Sequence, residues 1–189
     1  MYSDIDIRRA LDSGALVVEP HNRLNIQPCT LDITLGEGFM VPAEQLDPSL
    51  RHVPLDILHD GADMVAWSDP RTVIIPPRGF VLGTTAETFR LDSTIASKLD
   101  GRSSIGRCAL TVHITAGLID AGYHGQITLE LANLRDRPLI LRAGMRVGQL
   151  EFHQLITPAR RPYGSPGLQS RYQGQTGVTT SRLHEIHHQ

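Results

Sequence analysis

Two stretches in the second half of the chain alternate apolar and polar residues with a period of two. Leu110, Val112 and Ile114 point one way with Thr111, His113 and Thr115 opposite; Ile127, Leu129 and Leu131 repeat the pattern with Thr128 and Glu130 opposite. Successive side chains of a strand leave on opposite faces, so the pattern predicts two strands, each with an apolar face turned to a core. Shorter β-prone runs precede them at Thr30–Leu35, Thr72–Ile75 and Phe80–Thr84, separated by Gly, Pro, Asp and Asn. Leu139–Leu155 reads as two further strands turned at Arg142-Ala143-Gly144. Helical signals are few: Ser3 caps a short helix with Asp6 three residues on, Ile7 and Leu11 share its inner face, and Gly14 stops it. Together these predict a mainly β chain, a sandwich or a barrel.

The connection from Ala116 to Gln126 between the two alternating strands is longer than a tight hairpin and carries glycines, which makes it a place to build a site. From Tyr163 to Thr180 the chain is Gly, Ser, Gln and Thr with few aliphatics, too little apolar surface to order itself. With 189 residues, one domain suffices. The expected organisation is a β-domain over residues 1–158 and an arm over 159–189 that borrows its order.

Charge narrows the partners. Lys+Arg 18 against Asp+Glu 20 gives a net charge of -2, so no overall basic field draws the chain to a nucleic-acid polymer or an anionic membrane. A single Trp argues against a base-stacking platform for single strands. No apolar run is long enough to span a bilayer, and the expected setting is soluble and cytoplasmic. Cys29 and Cys108 stand far apart with no C-x-x-C pair, and are expected as buried small apolar residues rather than a disulfide or zinc ligands.

Gly101-Arg102-Ser103-Ser104-Ile105-Gly106-Arg107 concentrates two guanidinium groups, two hydroxyls and glycine-freed amides, a donor set suited to phosphate oxygens; the competing reading is a capped turn with solvated arginines. Thr115 to Gly125 follows, with glycines that permit close backbone approach to a ligand and with Asp120 and Tyr123 as an acceptor and a ring. Glu130 then interrupts an apolar strand, either paired with a cation such as Arg107 or held for proton transfer. His184-Glu185-Ile186-His187-His188 matches the H-E-x-x-H zinc string, but it ends one residue before the last with no apolar helix around it, so catalytic zinc is not expected there.

The segments Gly101–Arg107, His113–Tyr123 and Gly125–Glu130 closely resemble those of the dCTP deaminase family, relatives of the trimeric dUTPases. Gln27–Asp32, Ala143-Gly144-Met145 with Gly148-Gln149-Leu150, Tyr163-Gly164-Ser165 and Tyr172–Gln175 extend the likeness over nearly the whole chain. The resemblance implies a dUTPase-like β-barrel or jelly-roll with a short N-terminal helix, assembled as a homotrimer, with sites between subunits and a C-terminal arm that closes over the nucleotide. It implies hydrolytic deamination of dCTP without the H-x-E…P-C-x-x-C zinc signature of other nucleobase deaminases, Glu130 moving the protons while Ser103 and Arg107 orient water, base and carboxylate. Arg102, Ser104, Gln149, Tyr163, Arg171 and Gln175 would hold the triphosphate, helped by the backbone of Ile105 and Gly106. Asp120 would take the 3′-hydroxyl, and backbone groups of Thr128, Leu129 and Glu130 the base edge. Mg²⁺ would ride on the phosphates, and dTTP would be the feedback inhibitor.

Family members differ in whether they release dUTP or cleave it to dUMP. Gly117-Leu118 after Thr115-Ala116 resembles the two-step type, which makes dUMP the expected product; deamination alone, a plain dUTPase and a nucleotide-binding trimer without catalysis are the alternatives. Ala121 stands where proline is frequent, and Arg102 and Arg171 where lysine is common. The arginines keep the charge and change its geometry.

Overall fold

In the computed structural model, which describes residues 1–22, 25–58 and 62–183, the N-terminal signal is realised in full. The Ser3 side chain accepts the Asp6 N–H, the Asp6 carboxylate accepts the Ser3 N–H, and Gly14 ends helix α1 (Asp4–Ser13) in the left-handed region at φ 76°. Ile7 is fully buried beneath it and Leu11 packs against the same core.

The rest is antiparallel strands. In order they are β1 (Leu16–Glu19), β2 (Leu31–Thr34), β3 (Met40–Pro42), β4 (Met64–Ala66), β5 (Thr72–Ile75), β6 (Phe80–Leu91), β7 (Ile95–Gly101), β8 (Leu110–Thr111), β9 (Leu118–Ile119), β10 (His124–Asn133), β11 (Leu139–Arg142) and β12 (Arg146–Gln154). Short helical turns, α2 (Ala43–Leu46) and α3 (Ser103–Gly106), interrupt them. One sheet runs β4-β3-β6-β10-β8 with β1 also on β6, a second runs β2-β12-β7-β9, and β5 pairs β11. Their inner faces share one apolar cluster that includes Leu129 and Leu131 from β10, Leu150 and Phe152 from β12, and Ile75 from β5. This is the mainly β fold expected, and among the described residues no sheet closes on itself into a barrel. No helix among them is long and apolar enough to cross a membrane.

Three expectations change. The strands around Arg142-Ala143-Gly144 exist but do not pair with each other: β11 joins β5, while β12 joins β2 and β7. The turn between them carries the chain from one sheet to another, fixed by the Ala143 N–H on Arg71 O and the Gly144 N–H on Leu35 O, both at 2.8 Å. The alternation Leu110-Val112-Ile114 holds for two positions and then fails, because β8 stops at Thr111 and Ile114 is 57% exposed. Cys29 and Cys108 are exposed, since one lies in the turn before β2 and the other just after α3, where no apolar face exists to bury them.

β6 and β10 form the longest pairing, and it contains a bulge. Gln126 faces Thr88 and Thr128 faces Thr84, so Thr85, Ala86 and Glu87 together oppose Ile127. Glu87, only 5% exposed, reaches across to the other sheet, where the Thr34 N–H donates to both of its oxygens at 3.0 and 3.2 Å. Burial pushes the Glu87 carboxyl above its ordinary range against the opposing pull of those bonds.

Leu129 is fully buried in the middle of β10. Leu129→Ala is expected to lower stability by roughly 2–5 kcal/mol through lost transfer energy and the cavity left behind, read as a fall in the urea midpoint at unchanged slope.

Candidate active site

β10 is bonded to β6 along one edge; its other edge is covered only in places. At one end the Gln126 N–H bonds Gln175 O at 3.0 Å, and at the other the Glu130 N–H bonds Val112 O at 3.1 Å. Strand alternation turns the peptide groups of Thr128, between them, to that same edge. A cavity of about 530 Å³ opens there, within the size range of small-molecule sites. Its wall includes Thr128 and Glu130 from β10, Ile114 to Ala116 and Leu118 to Asp120 from the connection, Tyr163, and the arm residues Tyr172, Gln175 and Thr179 to Ser181.

Glu130 is half-buried, and its Oε2 accepts the Ile114 N–H at 2.7 Å. That bond explains why Ile114 leaves the inward pattern: the backbone turns off β8 to meet the carboxylate. Glu130 has no ion pair among the described residues, so the salt bridge to Arg107 is not formed within the chain. A carboxylate held by one neutral N–H at a cavity wall keeps acceptor capacity for a ligand or water.

The expected site residues fall into two groups. Asp120, Thr128, Glu130, Tyr163, Gln175 and Leu118 line this cavity. Leu129 does not line it, its side chain being core. Arg102, Ser103, Ser104, Ile105, Gly106, Arg107, Gln149 and Arg171 do not line it. Ser103 to Gly106 form α3, with Ser103, Ser104 and Arg107 exposed. Arg102 caps that helix with its Nε 3.3 Å from Asp32, a carboxylate only 2% exposed that also meets Arg146 at 3.4 Å. Gln149 faces Asp32 across β12 and β2 and accepts the Thr30 hydroxyl at 3.4 Å. Arg171 bonds Gln169, next to Tyr172 on the cavity wall.

Gly117 is also off the wall, for a packing reason. A Cβ there would stand 2.9 Å from Leu99 O and 3.4 Å from the His113 ring, while the Gly117 carbonyl accepts the Leu99 N–H at 2.7 Å. Gly117 brings the connection flat against β7, and Leu118, 69% exposed, projects beside Asp120. The described residues end before His184, so the histidine string lies outside them.

The arm docks on the start of β10. Gly125 and Gln175 form a parallel bridge, the Gln175 side-chain amide donates to Gln126 O at 2.6 Å and to the Tyr123 hydroxyl at 3.2 Å, and the Gly177 N–H bonds Gln126 Oε1 at 2.6 Å. The Thr179 N–H reaches Thr128 Oγ1 at 3.4 Å. The Gln175 nitrogen is therefore engaged by protein atoms, while its Oε1 is buried without a partner. Tyr123 donates its hydroxyl to Gln126 O, and burial pushes that phenol upward. Its ring meets Tyr163 at 5.8 Å between centroids, and Tyr163 OH accepts the Tyr172 N–H at 3.1 Å. Tyr172 and Thr179 to Ser181 are wall residues that sequence reading did not single out. Their only signal was a polar tail with two tyrosines in it.

Comparison with known proteins gives the family. A family model described as dCTP deaminase-like matches residues 1–155. A Corynebacterium efficiens protein named "dCTP deaminase, dUMP-forming" is 42% identical over 186 residues, covering 96% of this chain and 93% of its own. A Natronomonas pharaonis protein named "dCTP deaminase" is 43% identical over 186 residues, covering 97% and 94%. The solved structure of 2′-deoxycytidine 5′-triphosphate deaminase from Agrobacterium tumefaciens superposes with a TM-score of 0.57 at 22% identity, covering 80% of this chain and 47% of that one, a likeness of fold.

Gly125 sits at φ +144°, and a Cβ there would fall 2.9 Å from Gln175 O and 3.0 Å from Gln175 N. Gly125→Ala is expected to lift the arm from β10, at a strain of about 1–3 kcal/mol if it stays docked. Hydrogen exchange reads this as lost protection at the amides of Gln126 and Gly177 with the β6–β10 amides unchanged.

Proposed function

This chain belongs to the dCTP deaminase-like family, and on that premise we propose that it removes the 4-amino group of dCTP by hydrolysis and then cleaves the dUTP formed to dUMP and pyrophosphate. The observation that carries the reading is Glu130, a strand carboxylate on a cavity wall, oriented by the Ile114 N–H at 2.7 Å and paired with no cation among the described residues.

In the first step water attacks C4 of the cytosine ring as Glu130 takes its proton. The carboxylic acid so formed protonates N3, and a second transfer through the same group carries the hydroxyl proton to the amino nitrogen. The C4–N bond then breaks, ammonia leaves, and the 4-oxo ring of uracil remains. The free peptide groups of β10 beside Thr128 supply the pattern a base edge needs. Asp120, at the other end of the wall, takes the 3′-hydroxyl.

The phosphates call for cations that this cavity does not have on its own wall. Ser103, Ser104 and Arg107, exposed, and Arg102, half-buried against Asp32, stand on and beside α3 and do not line the cavity. We place them, with Gln149, on the nucleotide held by a neighbouring copy, so that a homotrimer assembles each site from two chains. Arg171 and the arm close it from above. Among the described residues the wall carries the carboxylates of Asp120 and Glu130, the hydroxyls of Thr115, Thr128, Thr179, Thr180 and Ser181 and the Gln175 amide, with no histidine or cysteine. That set fits Mg²⁺, which keeps water and phosphate oxygens as ligands, and not zinc, which prefers nitrogen and sulfur. Mg²⁺ supplies charge neutralisation at the phosphates. Asp120 orients a second water towards the α-phosphorus. The water oxygen bonds phosphorus as the bond to the α,β-bridging oxygen breaks, the water proton passes to Asp120, and pyrophosphate leaves with the bridging oxygen. Gly117, by holding the connection against β7, and Leu118, by projecting at Asp120, set the room for that water. dTTP shares the sugar and phosphates of the substrate and is the proposed inhibitor, and the enzyme acts in the cytoplasm.

Of the two relatives above, one is named for forming dUMP and the name of the other gives no product, so the product is the test. Protein incubated with Mg²⁺ and dCTP should yield dUMP; accumulation of dUTP would restrict the activity to deamination, and unchanged dCTP overturns both steps. Glu130→Gln keeps the shape and cannot accept the water proton. Ammonia release should fall by about 10²–10⁴-fold with dCTP binding retained in calorimetry, and undiminished release would remove Glu130 from the mechanism.

A further inference from the structure

A carboxylate buried as deeply as Glu87 is costly to keep unless its bonds fix something. Neither step of the proposed chemistry uses it. Its bonds lead, however, from the far sheet to the arm. The Thr34 N–H on β2 holds both carboxylate oxygens. The Glu87 carbonyl accepts the Thr85 hydroxyl at 2.7 Å, and the same hydroxyl accepts the Ile127 N–H at 2.9 Å, which closes the bulge. The bulge turns the Thr85 carbonyl towards the Gln126 side chain, whose Nε2 donates to it at 2.8 Å. With its nitrogen fixed there, the Gln126 amide can present only its oxygen outward, and that oxygen accepts the Gly177 N–H of the arm.

We propose that Glu87 is a positioning residue of the active site: by pinning the β6 bulge to β2 it fixes the Gln126 amide in the one orientation that receives the arm. The relay explains three features together. It gives a use to a buried carboxylate, to a bulge beside a binding cavity, and to a glutamine whose two side-chain atoms face opposite ways to a strand and to the arm. Without the bulge, Thr85 O would enter the regular β6–β10 ladder and Gln126 would be free to turn its nitrogen to Gly177 N–H, donor against donor.

The kinetic part of the test rests on the dCTP reading above; the structural part does not. In the nucleotide-free protein, Glu87→Gln and Gln126→Ala should each speed trypsin cleavage after Arg171 and Arg182 by about tenfold, since the arm opens more often while the core stays folded. With dCTP, both should raise KM by about tenfold and change kcat by less than about threefold. The double variant should be no more cleavable than Gln126→Ala alone, as expected for two points on one relay. A lowered urea midpoint with cleavage and KM unchanged, or additive effects in the double variant, overturns the proposal and leaves Glu87 as a core staple. Should Glu87→Gln not fold, Thr85→Val cuts the relay one residue further on with the carboxylate in place, and the same two readouts decide. A protein that turns over no dCTP removes the KM readout and leaves the cleavage readout to stand alone.

Discussion

The site depends on a strand satisfied along one edge and only partly along the other. β10 spends one row of peptide groups on β6, and its apolar face is locked into the core through Ile127, Leu129 and Leu131. Its second row must find partners elsewhere, because buried peptide groups do not go unbonded. Val112 and Gln175 cover its two ends, and between them lies the gap that becomes the cavity. The strand period then does the rest: the residues whose side chains face away from the core, Thr128 and Glu130, come to its wall, with the core residue Ile127 at its margin.

Charge is distributed to match. The guanidinium of Arg102 is already met by Asp32, which Arg146 approaches from another direction, while among the described residues the Glu130 carboxylate is met by a peptide N–H and by no cation. Arg102 and Glu130 are thus kept from cancelling each other among the described residues. The arginine fork is preoriented by a nearly buried anion, and the carboxylate stays available as a proton acceptor. A fold that had paired Glu130 with Arg107 would have been easier to stabilise and unable to do the same chemistry.

How much of this was legible in the sequence depended on how local the cause was. The N-terminal helix was read to its cap because Ser3, Asp6 and Gly14 act within one or two turns. β10 was read with the correct inner face because five alternating residues report a single burial boundary. The alternation failed at Ile114, where a bond to a carboxylate sixteen positions away overrides the pattern; β11 and β12 were read as strands on either side of their turn, but the separate partners they take, β5 for one and β2 and β7 for the other, leave no local signal. The cysteines were misjudged because residue type predicts burial only on average. The family motifs named Asp120, Thr128, Glu130, Tyr163 and Gln175 as neighbours, and the cavity brings them together; they could not show that Gln175 spends its nitrogen on Gln126 and Tyr123. The bulge at Thr85–Glu87 left no trace in the apolar pattern, since its cause is a set of hydrogen bonds spread over β2, β6 and β10.

The arm is almost wholly polar where it docks. Gln175 is the one buried residue between 159 and 183, and Tyr163 is the one side chain from that stretch packed on the core. Heat capacity follows the apolar surface that a transition exposes, so lifting the arm carries little of it, whereas melting the sheets carries a great deal. The two equilibria therefore respond differently to cold. Core stability bends through a maximum and weakens on cooling as the hydrophobic contribution fades, while the closed arm, held by bond enthalpy, tightens steadily as temperature falls. On cooling, the arm therefore stays docked well before the fold begins to loosen.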